Sequence, residues 1–161
     1  MNRTPILLLT GALMSVGTGC ASDTAGASCT PAESEVCQVF AIVNDERSAQ
    51  GREPLGWDDN LGLAAQRHAE DMVDQGYFSH DSLDGRSFVD RINETDYDAS
   101  PRGENIAAGQ QTPAAVMNSW MNSEGHRRNI LAEGSNEIGI GLEGRHWVQV
   151  FGHRRPAPMT E

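Results

Sequence analysis

The residues able to do chemistry in this chain are five histidines and the acids near them. The histidines are His68, His80, His126, His146 and His153. Two of them sit in glycine-adjacent settings beside acids, in Phe78-Ser79-His80-Asp81 and Ser123-Glu124-Gly125-His126. A third acid, in Gly103-Glu104-Asn105, lies between them. Imidazole paired with carboxylate moves protons near neutral pH or binds a divalent cation. Ser79-His80-Asp81 is not a nucleophilic triad, because sequence neighbours do not stack as nucleophile, base and orienter. The chain has no Gly-x-Ser-x-Gly elbow, no His-Glu-x-x-His, no phosphate loop and no dinucleotide fingerprint. Glu124 and His126 are two residues apart, about 200° around a regular helix. They converge only if Gly125 breaks the helix.

Helices must carry most of these residues. Thr30-Pro31-Ala32-Glu33 has the pattern of a capping box with proline at the first helical position. It predicts a first helix with Val36, Phe40, Val43 and Arg47 along one face and a stop at Gly51. Pro54-Leu55-Gly56-Trp57 reads as a short extended piece. Asp58 or Asp59 caps a second helix running to Gly76, with Leu61, Ala65, His68 and Met72 on one stripe. His68 therefore reads as a core histidine. Ser87 and Asp90 open a third helix. Residues 95–111, punctuated by Pro101, Gly103 and Gly109, read as loop. Thr112-Pro113 opens a fourth helix with Val116, Met117 and Trp120 inward, ending near His126. Residues 137–142 and 146–151 alternate with period two about a turn at Glu143-Gly144, which predicts a hairpin. Helices first and a hairpin last give an α+β fold, with helices packed on a small, mainly antiparallel sheet.

The run from FSHDS through GEN, IAAG, SWMNSEGHRRNIL and EIGIGL to HWVQVFG resembles the bacterial branch of the CAP (or SCP) superfamily. That superfamily includes cysteine-rich secretory proteins, antigen 5 and pathogenesis-related proteins. The likeness spans residues 38–152, and its specificity lies in the ordered set of motifs. It implies a three-layer α-β-α sandwich and a cleft with two histidines and two glutamates, which in some members holds zinc or another divalent cation. By motif, His80 and Glu104 match the first His and the first Glu. In the other pair the chain departs from the eukaryotic pattern. Ser123 occupies the W-x-x-E acid position and Glu124 follows it. His146 aligns with the strand histidine, while His126 belongs to the bacterial GHR-x-NIL motif. The cleft set is thus His80, Glu104, Glu124, His126 and His146, with His80 and His126 as metal candidates. No metal is required by this reading. Two imidazoles with water suit an open zinc site, and a nearby Glu orients a histidine or takes a proton.

Composition and address limit the function. The chain of 161 residues carries 12 Lys plus Arg, all of them Arg, against 23 acids, for a net charge of −11. That excludes a nucleic-acid footprint. Residues 1–20 have one cation, a short apolar run and the ending Gly17-Thr18-Gly19-Cys20. They read as a lipoprotein-type export signal with Cys20 as the lipidated first residue. Residues 21–34 read as a polar tether, 35–155 as the domain and 156–161 as a frayed tail. With Cys20 lipidated, Cys29 and Cys37 remain as a disulfide pair in an oxidising compartment. The expectation is a monomeric, exported cell-envelope protein, periplasmic or surface-facing, that touches the membrane only through its anchor, or alternatively a secreted one. Two functions fit: a non-enzymatic domain that binds a small apolar or envelope-derived ligand, or a metal-assisted hydrolase of peptide or cell-wall material.

Overall fold

A computed structural model describes residues 28–156. The expected export signal with Cys20, residues 21–27 of the expected tether and residues 157–161 of the expected tail lie outside the described residues. Cys29 and Cys37 are joined by a disulfide with a Cα–Cα separation of 5.5 Å.

The first helix, α1 (Glu35–Ala49), starts later than the Thr30 capping pattern predicts. Residues 31–34 instead form a turn closed by Ser34 N–H on the Pro31 carbonyl, and the Ser34 hydroxyl caps the helix through Cys37 N–H. Strand β1 (Gly56–Trp57) follows, then α2 (Asp59–Gln75), capped by the Asp58 carboxylate and stopped at Gly76 in the left-handed region. Helix α3 (Phe88–Asn93) has the reciprocal Ser87–Asp90 capping box. Next comes strand β2 (Ser100–Ala108), where the sequence reads as loop. Pro101 and Gly103 flank a register shift that spoils the alternation, and β4 supplies the pairing from far along the chain, as in Ser100 with His153 and Ala108 with His146. Helix α4 (Pro113–Met121) and helix α5 (Glu124–Ile130) are separate elements. The break falls at Asn122-Ser123 rather than at Gly125, which lies inside α5. The hairpin of β3 (Glu137–Glu143) and β4 (His146–His153) closes the fold as expected.

The sheet order is β1-β3-β4-β2, with β1 parallel to β3 and the other pairs antiparallel. Side-chain alternation sends Ile106, Val148 and Val150 toward α2 and α3, where they pack with Leu61, Ala65, Met72 and Ile92. Ala107, Trp147 and Phe151 face the other way, into a core with Val39, Val43, Val116, Trp120 and Ile130 of α1, α4 and α5. The result is the three-layer α-β-α sandwich. Gly139 and Gly141 sit opposite Val150 and Val148, under α2. A Cβ at Gly139 would overlap the backbone of Leu61 and Gly62, and one at Gly141 that of Ala65 and Gln66. The two glycines let α2 lie directly on β3.

Candidate functional site

Strand β2 is the edge of the sheet next to β4, and the polar residues gather along it. Its Glu104 points to the α2/α3 face and is buried, its side chain only 2% exposed. Two partners take its two oxygens. Arg91 of α3, itself buried, donates from Nη2 to Oε2 at 2.6 Å. His80 Nδ1–H donates to Oε1 at 2.8 Å. His80 stands in the loop that connects α2 to α3, with 55% of its side chain exposed. Its Nε2 is left free of Glu104. The hydrogen bond to Glu104 raises the His80 pKa above its ordinary value, against burial, which lowers it.

The other wall is α5. A polar chain crosses from the sheet to this helix. Asn105, fully buried, donates to the His126 carbonyl at 3.2 Å and to Gln149 Oε1 at 3.0 Å. Asn129 donates to the Glu104 carbonyl at 3.2 Å and to Asn105 Oδ1 at 2.9 Å. Trp120 Nε1–H donates to the Ile106 carbonyl at 3.3 Å. These side chains satisfy outward carbonyls of an edge strand and fix the backbone of His126 beside Glu104. Burial lowers the His126 pKa, and positive charge on His80 lowers it further, so the two imidazoles feel one another across the edge of β2.

The remaining candidates lie elsewhere. Glu124 begins α5 and is 96% exposed, 4.0 Å from Arg128. Gly125 does not break α5, so Glu124 and His126 keep their angular separation. His146 is on the sheet face of Glu104, at the far end of β4, and its ring packs on Phe78 at 6.1 Å. Arg91 carries no sequence signal. Its role depends on α3 lying across β2, which only the packing of Ile92 under α2 decides. Asn105 bonds the backbone of α5 and Asn129 that of β2.

The donor set can be tested against zinc. A catalytic zinc takes three protein ligands and a structural one four. Here both Glu104 oxygens are engaged, one by a guanidinium that repels a cation. Among the described residues no group of three His, Cys, Asp or Glu side chains gathers to hold a metal. The residues present do not fit a resident zinc ion. What they form is a buried Arg–Glu pair that orients one exposed imidazole, with a second imidazole beside it.

A separate cavity of about 800 Å³ lies away from these groups. The Cys29–Cys37 disulfide, Ala32, Phe40, Ala41, Leu55 and Trp57 contribute its walls, which are mostly apolar.

A model of the cysteine-rich secretory protein family, CAP, matches residues 40–151. The uncharacterized protein YkwD of Bacillus subtilis (strain 168) is 41% identical over 116 residues, covering 71% of this chain and 45% of that protein. The chain spans less than half the length of the curated relatives it matches. An extracellular protein containing an SCP domain from Bacillus anthracis aligns at 34% identity with a TM-score of 0.69, over 74% of this chain and 40% of the other. An outer surface protein of Borrelia burgdorferi has the same fold, with a TM-score of 0.68 at 23% identity, over 77% of this chain and 96% of the other. Among the described residues no helix is long and apolar enough to cross a membrane.

Proposed function

The chain belongs to the cysteine-rich secretory protein family, CAP, and from that premise we propose that it is an exported, lipid-anchored domain that binds a small apolar ligand of the cell envelope and performs no catalysis. One observation carries this reading. The apolar cavity of about 800 Å³ falls within the usual range of small-molecule sites, roughly 300–1,000 Å³, and its lining suits an aliphatic ligand. The polar site supports it from the other side, because Glu104 is committed to Arg91 and His80 and Glu124 is in solvent. Export and anchoring rest on residues 1–20 and Cys20; the extracellular description of the Bacillus anthracis neighbour supports export.

Ala41 lines the cavity yet lies on the exposed side of α1, so a large side chain fits there without disturbing the core. Titration with a dansylated fatty acid is expected to show saturable binding. Ala41→Trp should weaken it at least tenfold, about 1.4 kcal/mol, and His80→Ala should leave it unchanged. Absence of binding in the wild type, or equal binding by Ala41→Trp, overturns the proposal. The oriented His80 imidazole favours the rival reading, a hydrolase of peptide or cell-wall material. That reading requires turnover that both His80→Ala and Glu104→Gln abolish.

A further inference from the structure

His68 is fully buried on α2, in the stripe with Leu61, Ala65 and Met72, where a leucine would fill the core as well. It makes a hydrogen bond that a leucine lacks. Its Nε2 lies 3.0 Å from the carbonyl oxygen of Ser79, the residue before His80. A carbonyl only accepts, so Nε2 carries the proton. Nδ1 meets no protein partner, and the ring's one hydrogen bond to the protein is therefore spent on this loop. Burial and the charge of Arg91 lower the His68 pKa, with Glu104, the hydrogen bond to Ser79 and Asp71 opposing.

We infer that His68 is a positioning residue for His80: its Nε2–H holds the Ser79 carbonyl and so fixes the backbone from which the His80 ring reaches Glu104. The loop needs such a tether. More than half of the His80 side chain is exposed, so packing does not place it. The far end of the loop is held by Arg91, which donates to Ser82 Oγ at 3.2 Å and to the Arg86 carbonyl at 3.0 Å. At the near end Tyr77 is bonded to Asp71 and packs on His68, ring centroids 6.2 Å apart. His68 ties the residue before His80 to the core, while Asp81 N–H bonds the Ser79 hydroxyl within the loop. Arg91 and His68 thus clamp the two sides of one short segment, and Glu104 receives the imidazole it presents. The inference stands apart from what the apolar cavity binds.

The test reads the ring itself. In ¹⁵N-labelled protein free of metal and ligand, at a pH well above the ordinary imidazole value of about 6.5, two-bond ¹H–¹⁵N spectra report which nitrogen of each histidine holds the proton. The wild type is expected to show His68 protonated on Nε2 and His80 on Nδ1. His68→Phe should move His80 to mainly the Nε2–H form that free imidazole side chains prefer. His68→Gln, whose amide offers a donor near the same place, should retain the Nδ1–H form. A merely structural role lowers the melting temperature without changing the His80 tautomer at a temperature where the protein is folded. An unchanged His80 spectrum in His68→Phe overturns the inference. If His68→Phe does not fold, a wild-type His68 protonated on Nδ1 overturns it equally.

Discussion

Glu104→Gln tests whether the polar site is built on a buried charge pair. The substitution keeps the shape of the side chain and removes its charge. Arg91 is then left as a buried cation with 5% of its side chain exposed and no carboxylate. Breaking a buried ion pair on one side costs about 3–5 kcal/mol. Two acceptors, Ser82 Oγ and the Arg86 carbonyl, stay with the guanidinium, which places the expected loss at the lower end, about 3 kcal/mol. For a domain of this size that corresponds to a fall in Tm of roughly 10–15 °C. Urea unfolding and calorimetry measure it. Replacing both partners, as Arg91→Met with Glu104→Met, should cost less than the sum of the two single changes, because no charge is stranded. In the same variants, NMR should find the His80 pKa displaced downward, since the hydrogen bond to Glu104 is the main cause of its elevation. A Glu104→Gln protein that melts within about 2 °C of the wild type, or strictly additive double-variant losses, would refute the argument.

Three further outcomes follow from the same geometry. Gly141→Ala should cost at least about 1–3 kcal/mol by overpacking, because its Cβ meets helix backbone rather than a side chain that can turn away; a wild-type urea midpoint would show that α2 does not rest on β3. Stability should fall on both sides of a maximum near the ordinary imidazole pKa of about 6.5. His80 binds its proton more tightly when folded, so its contribution is complete below that value and is lost as the pH rises through the elevated folded pKa. His68 and His126 bind theirs more weakly when folded, so their protonation destabilises the fold as the pH falls. His80→Ala should flatten the alkaline limb of urea midpoints and make the acid limb shallower, because its charge helps to lower the His126 pKa; an unaltered alkaline limb means that His80 does not contribute it. Zinc in tenfold molar excess should leave the Tm unmoved, and a rise lost on replacing His80 and His126 together would show that they hold the ion.

Local patterning made much of this protein legible in advance. Asp58, Gly76, Ser87 with Asp90, and Thr112-Pro113 each mark a helix end, because capping is chemistry between near neighbours. The hairpin of β3 and β4 is written in period-two alternation. His80 and Glu104 could be picked out from their motifs, although 24 residues separate them. Strand β2 was not legible: its polar edge and its register shift become a strand only when β4 offers hydrogen bonds from the other end of the domain. The N-terminus of α1 was misplaced because a turn competes with the Thr30 pattern. Glu124 looked like a site acid, but the intact turn at Gly125 sends it into solvent.

The sequence by itself determined where most helices begin and end and which residues carry ionisable groups. Those properties depend on residues within a turn or two of each other. Only the tertiary structure decided that Arg91 neutralises Glu104, that His68 grips the loop of His80, and that Asn105 and Asn129 tie α5 to β2 while Glu124 stands in solvent. Each of these depends on how α2, α3 and α5 settle against the sheet, and that is set by long-range burial and the bare backbone at Gly139 and Gly141, which no local pattern encodes.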